Sequence, residues 1–137
     1  MDVHFNAHDR RNIDPPRSLG ENEQAILEFL LSAPFPGQKE LRQQLEIAKV
    51  TSQCRTCPTI TFTVDESVAP RAPVARRIPI EAERPGAAPG HTTLHVLLHV
   101  VNGYLDELEL YRNDLGQIAS LPSPSSLELL FFGGGGS

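Results

Sequence analysis

The sequence predicts an α+β domain, with two N-terminal helices packed on a mainly antiparallel β-meander of roughly four to six strands. Three observations predict it. Apolar residues between Ile26 and Leu31 recur at helical spacing, the run from Thr59 to Asp65 alternates with a period of two, and Thr92 to Arg112 reads as strand, turn, strand.

The first helix is announced by Ser18-Leu19-Gly20-Glu21, which fits the S-x-x-E capping box. Behind it Ile26, Leu27, Leu30 and Leu31 make one apolar stripe, with Phe29 on its flank and Glu21, Gln24 and Glu28 largely opposite. Pro34 and Pro36 end it. A second, shorter helix from Gly37 to Leu45 buries Leu41 and Leu45 and turns Lys39, Glu40, Arg42 and Gln43 to water.

From Ile47 onward the pattern is that of strands. In Thr59 to Asp65, Ile60, Phe62 and Val64 point one way and the threonines the other. Ala75 to Glu83 reads as another strand with Ile78 and Ile80 inward, and Pro79, which cannot donate a ladder hydrogen bond, places it at an edge or on a bulge. Glu83 to Gly90 is a loop, and Leu127 to Phe132 adds a short last strand.

The strongest local prediction is the hairpin of Thr92–Val101 and Leu105–Arg112 around Asn102-Gly103. A two-residue turn there pairs Val101 with Tyr104 and sets Glu107 and Glu109 on the same face as Leu94, Val96 and Leu98. Burying two carboxylates without partners costs several kcal/mol each, so that register is rejected. A three-residue loop with Gly103 in the left-handed conformation aligns Leu108 and Leu110 with the apolar set instead. His95 then lies opposite Glu109, or opposite Tyr111 if the register slips by two. The other face of the hairpin carries His95, His99, Glu107, Glu109 and Tyr111, looking outward together.

The chain of 137 residues divides unevenly. Residues 1–17 are polar, lack apolar periodicity and contain Pro15-Pro16, so a disordered tail is expected there. Residues 18–132 form the single folded domain, and residues 133–137 (GGGGS) have the composition of a flexible Gly-Ser linker.

The net charge is −5, and from Val101 to Phe132 the acids Asp106, Glu107, Glu109, Asp114 and Glu128 face Arg112 alone. Such a balance argues against nucleic acid as the partner, because phosphate binding needs a clustered basic surface. The basic residues Arg71, Arg76, Arg77 and Arg84 are interleaved with prolines and glutamates and lack stacking aromatics. No apolar run is long enough for a membrane span, and no signal-peptide pattern opens the chain, so a cytoplasmic location is the expectation.

The histidines at 91, 95 and 99 suit a metal only on a helix; on a strand, His91 and His95 lie about 13 Å apart and cannot share an ion. Cys54-Arg55-Thr56-Cys57 is a C-x-x-C without the second pair of a zinc ribbon, and Pro58 and a strand follow it rather than a helix. These read first as turn cysteines, with a metal- or redox-responsive role for Cys54 and Cys57 as the alternative. No catalytic motif, cofactor or metal site is predicted, although a His95–Glu109 pair keeps an enzyme as a third class.

Residues 97–129 (LLHVVNGYLDELELYRNDLGQIASLPSPSSLEL) resemble the C-terminal signature of small bacterial, mostly actinobacterial, proteins of unknown function. Their pattern is a hydrophobic strand, D-G or N-G, L-x-E-L-E-x-Y, a polar turn and L-P-x-P. The FPGQKELRQQL segment and the Cys-Pro step into a strand are similar to them as well. The resemblance implies no activity and no catalytic residue.

The expected function is therefore that of a non-enzymatic protein-binding module, concretely an immunity-type inhibitor whose acidic surface neutralises a basic toxin or nuclease domain. The expected contact residues are Asp106, Glu107, Glu109, Tyr111, His95 and His99.

Overall fold

The computed structural model describes residues 10–86 and 92–130. Its elements run β1 (Arg10–Arg17), α1 (Glu21–Leu30), α2 (Gln38–Leu45), β2 (Lys49–Cys54), β3 (Ile60–Thr63), β4 (Ile80–Arg84), β5 (Leu94–Val101), β6 (Tyr104–Arg112), a 3₁₀ turn at Pro124–Ser126, and β7 (Glu128–Leu130). The α+β class holds. Among the described residues the strands form one sheet of seven rather than four to six, ordered β1-β2-β3-β6-β5-β4-β7, with every neighbouring pair antiparallel. It is not a simple meander, because β4, β5 and β6 fold back so that β6 zips onto β3.

The extra strand comes from residues 10–17, which were expected to be tail. Arg10, Arg11 and Asn12 pair with Cys54, Gln53 and Ser52, and Arg17 with Val50; the register breaks in between. That break contains Pro15 and Pro16, which have no amide proton to give. At an outer strand they cost the ladder little, so pairing holds at the two ends of β1 while the prolines pass over the gap. Proline content argued for a tail; the edge position is what tolerates it.

Helix α1 is capped two residues later than the S-x-x-E reading places it. Gly20 is the N-cap, and its amide donates to Glu23 Oε1 at 2.8 Å. Ser18 stays outside, its Oγ accepting from Lys49 Nζ at 3.3 Å. Glu23 also takes both Arg17 amino groups at 2.9 Å, and Arg17 reaches Gln53 Oε1 at 3.1 Å. One carboxylate thus ties the helix start to the outer strand. Burial pushes the Glu23 carboxyl up, but Arg17 and the Gly20 amide outweigh it and hold the group below the ordinary carboxylate range. A depressed native pKa contributes stability above the unfolded value, and this is lost as pH falls through the folded one. Glu23→Gln is therefore expected to cost about 1 kcal/mol at neutral pH. Urea unfolding repeated below the ordinary carboxyl range should show that deficit shrink toward zero.

Ile26, Leu27 and Leu30 of α1, with Leu31, pack on one face of the sheet with Leu41 and Leu45 of α2, Val50, Ile60, Phe62, Ile80, Val96, Leu98, Leu108 and Leu110. Strand β4 begins immediately after Pro79. Having left the proline outside, it sits between β5 and β7 in unbroken register, instead of at the edge or on the bulge expected for it.

The hairpin corrects the predicted loop while keeping the predicted face. Val101 pairs with Tyr104 across Asn102 (φ 54°) and Gly103 (φ 83°), a two-residue turn with positive φ at both positions. Val100 pairs with Leu105, but His99 pairs with Glu107, so Asp106 is an inserted bulge residue. Beyond the bulge the phase is reversed: Leu98 lies opposite Leu108, Val96 opposite Leu110, and His95 opposite Tyr111. Keeping the carboxylates off the apolar face was the correct requirement. A bulge inside the strand meets it, not a longer loop.

Candidate functional site

Both helices pack on the apolar face of the sheet. The opposite face holds the hairpin's polar residues, with Glu81 and Glu83 of β4 paired to Leu97 and His95, and Glu128 of β7 paired to Glu83. These side chains do not all look outward, as the sequence suggested. Glu107 and Glu109 are 5% and 7% exposed. They lie on β6, a central strand between β3 and β5, where neighbouring side chains close over them.

The two carboxylates have different partners. Glu107 Oε2 accepts from Arg10 of β1. Glu109 Oε1 lies 2.8 Å from His99 Nε2. Arg77 Nε–H donates to His99 Nδ1 at 3.2 Å, so Nδ1 is bare and the imidazole proton sits on Nε2, directed at Glu109. Arg77 also stands 3.7 Å from Asp106, the bulge residue, whose side chain is 42% exposed. The predicted His95–Glu109 pair is thus a His99–Glu109 pair, one diagonal step along the hairpin.

His99, Glu107 and Glu109 offer ligand atoms that all lie within 4.8 Å of one another. The C-x-x-C segment is elsewhere. Cys54 ends β2, buried, with its thiol 3.5 Å from Thr56 Oγ1, and Cys57 packs against the core from the turn. His91 lies outside the described residues, as does the GGGGS end.

His95 belongs to a more open patch. Its ring stacks on Tyr111 with centroids 4.8 Å apart and planes at 19°, and its Nε2 is 2.6 Å from Asn113 Oδ1. Burial raises the Tyr111 pKa, and Glu81 and Glu109 raise it further. Burial likewise raises that of Glu81, with His95 pulling it down and Glu83 pushing it up. Three carboxylates, Glu81, Glu83 and Glu128, therefore crowd the β4–β7 side of the stacked pair, and Glu83 directly opposes Glu128. Sequence reading missed Glu81, Glu83 and Glu128, because their neighbourhood depends on β4 lying between β5 and β7.

A separate shallow cleft of about 600 Å³ runs beside the hairpin tip, lined by Arg71, Ala72, Val74, Arg76, Arg77 and Gly103 among others. Among the described residues, no helix is long and apolar enough to cross a membrane. No family profile, curated protein or solved structure matches this chain.

Proposed function

We propose that the protein is a non-enzymatic, cytoplasmic protein-binding module whose partner is a basic protein, concretely an inhibitor of immunity type acting on a toxin or nuclease domain. The observation that carries this reading is the patch around His95 and Tyr111. Like charges directly opposite one another destabilise a sheet, yet Glu83 faces Glu128 with Glu81 beside them. Cationic side chains of a partner would relieve that repulsion, while the stacked rings supply a flat amphipathic contact of the kind enriched at interfaces. Asp106, His95 and Tyr111 would touch the partner. Glu107 and Glu109, being buried, would support the surface from beneath and add to its negative field.

Two results test this. Glu83→Gln should stabilise the isolated protein by about 0.5 kcal/mol, since it removes a like-charge pair. In binding the sign reverses. A partner captured by the intact chain from its native host should bind Glu83→Lys/Glu128→Lys about tenfold or more weakly, with a lower on-rate and a reduced salt dependence. Affinity indifferent to both the double reversal and ionic strength would overturn the proposal.

A further inference from the structure

We propose that His99, Glu107 and Glu109 form a binding site for a divalent first-row transition ion of the zinc class. The three side chains project from the same face of two adjacent central strands, His99 directly opposite Glu107 and Glu109 two positions further along. Their side chains are 12%, 7% and 10% exposed. Their ligand atoms fall within 4.8 Å of one another. A zinc-class ion holds nitrogen and carboxylate ligands at about 2.0–2.2 Å, with ligand atoms some 3–3.5 Å apart. Rotation about side-chain bonds closes the difference, and the strands need not move.

The donor set of one imidazole and two carboxylates selects the ion. Imidazole draws zinc, iron, nickel or copper, and carboxylates alone would draw magnesium or calcium. One nitrogen with two carboxylates neutralises a dipositive ion and leaves further positions for water.

Arg77 and Arg10 set the terms of binding. His99 Nε2 carries its proton toward Glu109 while Nδ1 accepts from Arg77. An ion taking the Nε2 lone pair displaces that proton to solvent, and Nδ1 takes one up, so the ring stays neutral. The new Nδ1–H then opposes the Arg77 donor, which must swing away. Arg77 is 57% exposed and holds Asp106 at only 3.7 Å, so this movement is open to it. Arg10 competes for Glu107 in the same way. Arg77 therefore acts as a positioning residue that weakens the site, and its removal strengthens it.

The experiment is equilibrium dialysis of the full chain, stripped with chelator, against zinc chloride. One ion per chain is expected. Binding should fall at least tenfold in Glu109→Gln and in His99→Asn, survive in Cys54→Ser/Cys57→Ser, and tighten roughly tenfold in Arg77→Ala, within the range of outer-shell effects on metal affinity. Saturating zinc should also raise the melting temperature of the intact chain by about 10 °C when free ion exceeds Kd about a hundredfold. The electronic spectrum of the cobalt-loaded intact chain gives an answer that needs no variant: nitrogen and oxygen ligands alone are expected. Failure to bind one ion, retention in Glu109→Gln, loss in the double serine variant or a thiolate-to-cobalt band would each overturn the proposal. None of these outcomes depends on a protein partner.

Discussion

Gln44→Leu is expected to lower the unfolding free energy by about 3–4 kcal/mol and the melting temperature by roughly 10–15 °C. Gln44 is wholly buried on α2, and its amide is fully used. Nε2 donates to Pro70 O and to Gly103 O, each at 2.8 Å, and Oε1 accepts from the Leu105 amide at 2.9 Å. One side chain thus joins helix α2, the loop before β4, the hairpin turn and the start of β6. Leucine has similar bulk and leaves the cavity filled, so the loss measures the hydrogen bonds. The Leu105 amide is stranded in the core, and an orphaned buried donor costs about 1–3 kcal/mol. Pro70 O loses its donor as well, while Gly103 O keeps the Ala72 amide at 2.9 Å. Gln44→Glu supplies a second test. It removes the donor at neutral pH and buries a charge, so it should cost more than leucine. Acidification should narrow its gap from the wild type as the carboxyl regains a proton to donate. Chemical unfolding across a pH series measures both effects; a Gln44→Leu variant within about 1 kcal/mol of the wild type would exclude the linking role.

Gln44 also marks where sequence reading stops. The apolar positions of α2 follow from Leu41 and Leu45, and those two are buried as expected. A polar residue between them reads as solvent-facing until one knows which backbone groups from residues 70, 103 and 105 arrive above it. The same limit explains the rest. Helical stripes, the Ile60–Phe62 alternation and the hairpin were legible, because each is a periodicity carried within one segment. The pairing of β1 with β2, of β6 with β3 and of β7 with β4 depends on contacts distant in sequence, and no local pattern encodes it. At the polar face the consequence is direct. His99, Glu107 and Glu109 could be placed on one face from alternation alone. Their burial could not, since it comes from the central position of β5 and β6 and, at Glu107, from Arg10, on a segment whose prolines argued for disorder.

Gly103→Ala is expected to cost about 3 kcal/mol. Gly103 has φ 83°, and a Cβ added there would come within 2.8 Å of Ala72 O and 2.5 Å of Arg71 Cγ. The arginine side chain is exposed and can yield. The Ala72 carbonyl belongs to backbone that is already tied to the hairpin, because the Ala72 amide donates to Gly103 O. Left-handed strain of about 1–2 kcal/mol thus adds to overpacking of about 1–3 kcal/mol. Asn102, also at positive φ, tolerates it as asparagine commonly does, so Asn102→Ala should cost only about 1 kcal/mol. The two large effects share a carbonyl, which yields a sharper test than either alone. If Gly103→Ala pushes the turn away from Ala72, it also pulls Gly103 O and the Leu105 amide from Gln44. Part of the Gln44 contribution is then already lost in the glycine variant. A double-mutant cycle of Gly103→Ala with Gln44→Leu should therefore fall short of additivity by about 1 kcal/mol or more. Strict additivity would mean that the strain stays local to the turn and that the amide does not hold the hairpin in place.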